Sequence, residues 1–412
     1  VNRWLLSVLW FPVACYGGLW DFGQPVTVTG ASLAPHYHHL SGSGRRHLAA
    51  AERHVALVWE DDRTGSPQVY AAIKRLPDPG FRLTFQLSSG TEAYEPAIVS
   101  IADTRWVVAW EQDGEILVSL LTPEAHTRPL SLSSGPGRQV TLAADGAGQV
   151  AAIWAKRQGR KQRLVAADLL VRDRELAVSA ELIVTPDDAS HFQSFPAAAY
   201  TSKGELFVAW EDRRAGHTRL YGSLREAGSA FRPAIQLNEH REPAAMENYL
   251  ENTGTGVMRV SVASGRDGLV EAVWLDKRNP GSGYAVWGGR SRDGGYQFGE
   301  NVRVQDTMGE AVAQWHASVI SFGGGLIAAW DDARENWSDA KEVGDVFLSW
   351  RTDGGWSDDW PVPGASGDGY QGSPVMAIDM SGDLHLAWIE KATLTAPSRL
   401  RYSHGIRKIL SR

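Results

Sequence analysis

Cysteine is nearly absent: the 412 residues contain one, Cys15, so an internal disulfide is excluded. Excess positive charge is also missing. Forty-one Lys and Arg stand against 48 Asp and Glu, a net charge of −7, which leaves no basic footprint for a nucleic acid partner. After residue 15 no apolar run is long enough to span a bilayer as a helix. No extended helical period competes with short β-rich runs, and no cofactor or metal is expected.

Glycine and tryptophan are plentiful, at 43 and 17 residues. Near the start, Arg3 precedes an apolar stretch from Trp4 to Ala14, the length of a signal-peptide core. Ala14 before Cys15 is similar to a bacterial lipobox, with Pro12 where that motif usually carries leucine. Residues 1–15 are therefore expected to be a signal peptide with Cys15 as the lipidation site, and 16–412 one exported domain. The expected location is the bacterial cell envelope, as an outer-membrane-anchored lipoprotein; periplasmic or secreted forms are the alternatives. The lipid would be the sole membrane contact.

Seven segments repeat one pattern: a turn, a few apolar residues, a tryptophan, then polar residues. Their tryptophans are Trp59, Trp110, Trp154, Trp210, Trp274, Trp330 and Trp388, spaced by 51, 44, 56, 64, 56 and 58 residues. A near-regular period of this length, with short strands between glycine and aspartate turns, predicts an all-β, seven-bladed β-propeller. The tryptophan strand is the most uniformly apolar of each unit and should be buried on both faces. The last unit offers only three strands: Ser373–Asp379, Asp383–Trp388 and Arg399–His404. An orphan strand at Asp21–Gly30 matches Gln297–Asp306, the fourth strand of the fifth unit. The ring is thus expected to close with an N-terminal strand completing the last blade, which removes a sheet edge open to aggregation.

Ser291, Asp293, Gly294 and Tyr296 resemble the Asp box of sialidase-like (BNR) propellers, and Arg351–Trp356 is a degraded second copy. The resemblance implies a propeller whose inner-strand loops converge on an axial funnel. It does not carry catalysis: Asp boxes are structural in that family, and its arginine triad, tyrosine–glutamate pair and acid/base aspartate have no matching motif here.

Acidic residues and arginines recur just after the tryptophans, as Asp61, Asp62 and Arg63, Asp212 and Arg213, Asp276 and Arg278, and Asp331, Asp332 and Arg334. Their recurrence favours hairpin-locking pairs over a catalytic site, which needs unlike residues in one place. Residues that differ between units at the funnel position are better candidates. They include His36, His38 and His39; Tyr94 and Glu95; Arg138 and Gln139; His191 and Gln193; Trp315 and His316; Tyr370 and Gln371. From these, His38, Tyr94, Glu95, Arg138, His191, Trp315, His316, Tyr370 and Gln371 are expected to line a surface for a glycan or an envelope protein, where stacking and polar contacts combine. The His36-x-His38-His39 spacing suits metal ligation but lacks a partner set. Catalytic carboxylates, if the propeller is a sialidase-like glycoside hydrolase, would be sought among Glu95, Glu247 and Glu251, the last two in the long insertion 238–257. A structural role in an envelope complex is a third reading.

Overall fold

The computed structural model describes residues 18–29, 35–41, 44–185, 192–239, 256–278, 283–306, 312–323, 325–334, 344–352 and 354–408. These residues form seven antiparallel sheets and no helix among them. The innermost strands are Leu48–Ala50, Ala93–Ala102, Gly137–Ala144, Gln193–Tyr200, Val257–Ser264, Trp315–Phe322 and Tyr370–Ile378, defining blades 1 to 7. Each packs against the inner strands of the blades before and after it, and blade 7 returns to blade 1. The protein is a seven-bladed β-propeller.

The seven repeat tryptophans sit on the second strand of their blades and are fully buried, at 0% exposure. Alternation along that strand sends Trp210, Val208 and Leu206 toward blade 3, where they meet Ile153 and Ala166. On the other face Ala209 and Phe207 meet Val257, Val260 and Trp274 of blade 5. A strand buried on both faces has no polar side, which is why these runs read as continuous apolar segments. The hydrophobic clusters all lie at seams between neighbouring blades, so the core is a ring of seams rather than a single centre.

The closure expected from the sequence is present. Trp20–Phe22 pairs antiparallel with Gly405–Arg407, and Val26–Thr27 pairs with Arg401 and Tyr402. Trp20 is buried against Phe322 at 5.2 Å between ring centroids and donates its indole N–H to the carbonyl of Gly382. The 7–1 seam is filled by Trp59, Val375 and Tyr402.

Candidate functional site

The repeated acid–arginine turns hold their own blades. Trp59, Trp210, Trp274 and Trp330 donate their indole N–H to Asp61, Asp212, Asp276 and Asp332, two residues on, at 2.7–3.1 Å. Each aspartate also pairs with the arginine two residues further, Arg63, Arg214, Arg278 or Arg334. Those guanidiniums lie over Tyr70, Tyr221, Trp287 and Phe347, 3.6–4.3 Å from the ring centroid. Two assignments from sequence change. The partner of Asp212 is Arg214, because the side chains at i and i+2 reach the same turn, while Arg213 is exposed over Phe192. Asp331 belongs to a different set from Asp332, since successive strand residues point to opposite faces.

The residue after the tryptophan faces the axis. Glu60, Glu111, Glu211 and Asp331 each accept a backbone N–H from the next blade, at Glu95, Gln139, Arg259 and Ser373. Those N–H donors fall on β-bulges shared by the inner strands of blades 2 to 7, where pairing slips between Tyr94 and Ala97 and at the matching positions. The bulged residues Glu95, Gln139, Phe195, Arg259, His316 and Ser373 all have φ between 49° and 59°. Left-handed backbone on non-glycine residues costs roughly 1–3 kcal/mol each and persists only where surroundings impose it. Here the blade-to-blade hydrogen bonds impose it in most blades, and the result turns one side chain per blade into the mouth of the axis.

Arg259 stacks over Phe195, 3.7 Å from the ring centroid, and among the described residues its guanidinium makes no ion pair within 4 Å. Beside it, His316 Nδ1 lies 2.7 Å from Asp331 Oδ1, and the Tyr370 hydroxyl lies 3.5 Å from Asp331 Oδ2. Burial lowers the proton affinity of His316, but the charge and hydrogen bond of Asp331 outweigh it and leave the pKa raised. Burial raises the Tyr370 phenol strongly, with Asp331 adding to it. Glu211 is pushed up to about 7 by burial, against the opposing hydrogen bond and charge of Arg259. Arg45 is drawn down to about 10 by burial, opposed by the charge of Glu111, and pairs with Glu95.

The predicted funnel residues separate into groups. Tyr94, Glu95, Arg138, Trp315, His316 and Tyr370 all begin inner strands and share this mouth. Trp315 is 42% exposed and packs on Tyr284 at 5.6 Å. Gln371 is buried and donates to the Asp368 carbonyl. His38 is buried in the 7–1 seam, bonded to Ser398 and Thr29, and burial lowers its pKa to about 4. Cys15, His191, Glu247 and Glu251 lie outside the described residues. Glu95 is held by Arg45. The sequence reading missed Arg259, Phe195, Arg45, Glu60, Glu111 and Glu211 and grouped Asp331 with the hairpin-locking residues; the strand alternation after each tryptophan was the available signal. His36, His38 and Asp61 do bring possible ligand atoms within 4.8 Å, as do Asp379, His385 and His404, yet both Asp61 oxygens already serve Trp59 and Arg63.

The axis is not an open funnel. The segment Gly44–His47, entering from blade 1, crosses it: a Cβ on Gly44 would meet Ala197 Cβ at 2.7 Å and the Pro196 and Val260 carbonyls at 2.8 Å, in blades 4 and 5. Thr141 of blade 3 donates to the Gly44 carbonyl, and Arg45 Nε donates to that of Val140. This plug separates the mouth from a second chamber of about 420 Å³ at the opposite ends of the inner strands.

No family model matches the chain, and no curated protein matches it in sequence. Solved structures do. The polysaccharide lyase Uly1 is 11% identical, with 92% of this chain and 91% of that one covered, at a TM-score of 0.57. A protein of unknown function from Dyadobacter fermentans is 11% identical, covering 95% and 100%, at 0.53. The Trypanosoma rangeli sialidase bound to sialic acid is 11% identical, covering 91% and 59%, at 0.48. The shared feature is the propeller. At such identities the likeness is one of fold alone.

Proposed function

We propose that the mouth binds an acidic glycan, with Arg259 taking a sugar carboxylate and Trp315 stacking on a ring. The carrying observation is Arg259 itself: a guanidinium fixed on Phe195, near the Glu211 charge but in no ion pair within 4 Å among the described residues, with the exposed Trp315 at the same end of the next blade's inner strand. A planar fork held ready in this way suits a carboxylate, and an exposed indole suits a sugar face. The Ser291 hydroxyl bonds Asp293 and accepts from Gly295, while Asp293 accepts from Tyr296 and Gln297, the hairpin we read as an Asp box. We further propose that the domain is exported and anchored to the cell envelope through a lipid on Cys15. A glycan array comparing acidic with neutral oligosaccharides tests the binding. Arg259→Gln should weaken acidic ligands by about tenfold to a hundredfold, the worth of a charge-assisted hydrogen bond. Equal binding of neutral and acidic glycans sinks the reading.

One observation favours cleavage as a second reading: His316, Asp331 and Tyr370 form an acid–base group at the same mouth. Hydrolysis of the sialidase-like kind would need two carboxylates roughly 5–10 Å apart, and Glu95 is committed to Arg45. Elimination needs instead a base for the proton beside the carboxylate, an acid for the departing oxygen and a cation on the carboxylate. His316, Tyr370 and Arg259 supply those three chemistries. Ultraviolet absorbance from an unsaturated uronate product, lost in His316→Gln, distinguishes elimination from binding alone.

A further inference from the structure

The plug carries two adjacent arginines with opposite fates. Arg45 turns to the mouth and is neutralised by Glu95. Arg46 lines the chamber on the other side, and among the described residues its guanidinium makes no hydrogen bond, ion pair or stacking contact; only its backbone carbonyl is used, accepting from Ile98. Burial alone depresses its pKa, with no neighbouring carboxylate offsetting it. Arg46 is half-buried, so its charge is partly desolvated at the chamber wall rather than sealed inside the protein.

The chamber around it is built by all seven blades. Ala144, Ala199 and Ala377 line it together with Ser100, Ser264 and Ser321, and the Ser100 and Ser264 hydroxyls donate to the backbone carbonyls of Ala102 and of Gly265 and Leu269. Among the described residues its one carboxylate, Asp145, is occupied by the backbone N–H groups of Ala147 and Gln149 and by the Gln149 amide. About 420 Å³ falls within the roughly 300–1,000 Å³ of small-molecule sites. We infer that this chamber is a second binding site, distinct from the mouth, for a small oxyanion such as a sugar acid or sulfate, seated on Arg46. The guanidinium fork offers two parallel N–H donors to a carboxylate or sulfate, and serine oxygens that donate to the backbone keep acceptor capacity for a ligand hydroxyl.

Thermal unfolding and calorimetric titration of the whole chain test this with four probes: glucuronate, sulfate, glucose and chloride at matched ionic strength. Glucuronate or sulfate should raise the melting temperature of the wild type, because a ligand of the folded state stabilises by mass action. Which of the two binds more tightly separates a sugar acid from an inorganic ion. Arg46→Gln should weaken that binding at least about tenfold. Arg399→Gln, at an exposed surface arginine, controls for general charge effects and should leave both readings unchanged. Equal stabilisation by glucose or chloride, or an unaltered oxyanion response in Arg46→Gln, overturns the inference. If Arg46→Gln does not fold, absence of heat from glucuronate and sulfate with the wild type overturns it just as directly. Acidic oligosaccharide binding at the mouth is read separately through Arg259→Gln, so either site can fail without the other.

Discussion

A tryptophan, an acceptor two residues on and an arginine two further form the smallest unit that matters. In blade 2 the acceptor is Gln112, which still takes the Trp110 indole N–H at 3.1 Å without an arginine pair. The indole hydrogen bond thus recurs in five blades and the ion pair in four, while the buried indole N–H groups of Trp154 and Trp388 have no partner among the described residues. Asp212→Ala leaves Trp210 and Arg214 facing a fully buried gap and should cost about 3–5 kcal/mol by urea denaturation. Asp212→Asn keeps an acceptor and should cost clearly less. Glu211, one residue away, behaves oppositely. Its folded pKa, raised from 4.5 to about 7, means the folded state binds the proton more tightly than the unfolded chain. Its contribution is full below the unfolded value and is lost as pH rises through the folded one, about 3 kcal/mol across that window. Glu211→Gln should therefore unfold later than wild type at about pH 8 and lose that advantage at about pH 5.

Among the elements, the bulged inner strand and the plug determine what the mouth contains. The bulge was not legible in the sequence, because left-handed backbone at Glu95, Phe195 and Ser373 precedes proline, where ordinary local preference favours extended backbone. Only the hydrogen bond from a neighbouring blade selects it. The plug was equally hidden: Ser41 to His47 reads as a polar turn, and nothing local says that it crosses an axis. Gly44 is the position that requires glycine. Gly44→Ala brings a methyl against two backbone carbonyls and should destabilise by about 1–3 kcal/mol, as overpacking does. Thermal unfolding checks the cost. Because the displaced plug carries Arg45 away from Glu95, glycan binding at the mouth should weaken with it.

On the scale of the whole molecule, closure is the controlling feature. The ring has no core except its seams, so an open seam affects both neighbours. Removing residues through Thr29 would leave Ser398–Arg407 as an exposed strand edge beside an uncovered Phe322. Such a chain should aggregate on size exclusion, and a synthetic peptide spanning Trp20–Thr27 should return it to the monomer position. Trp20→Ala tests the same seam more gently and should cost about 3–5 kcal/mol, the usual range for a buried tryptophan.

What the amino-acid sequence determined by itself is the repeat: seven tryptophan strands, their turns and the orphan strand that completes the last blade. Periodicity is local, and a strand buried on both faces must be apolar wherever it lies. Tertiary structure alone decided which polar residues meet. Arg259, Phe195, His316, Asp331 and Tyr370 come from blades 4 to 7, and they converge because every inner strand starts at the same end of one axis. The division of that axis into mouth and chamber was decided there too, since a segment of blade 1 can cross it only after blades 4 and 5 supply the far wall.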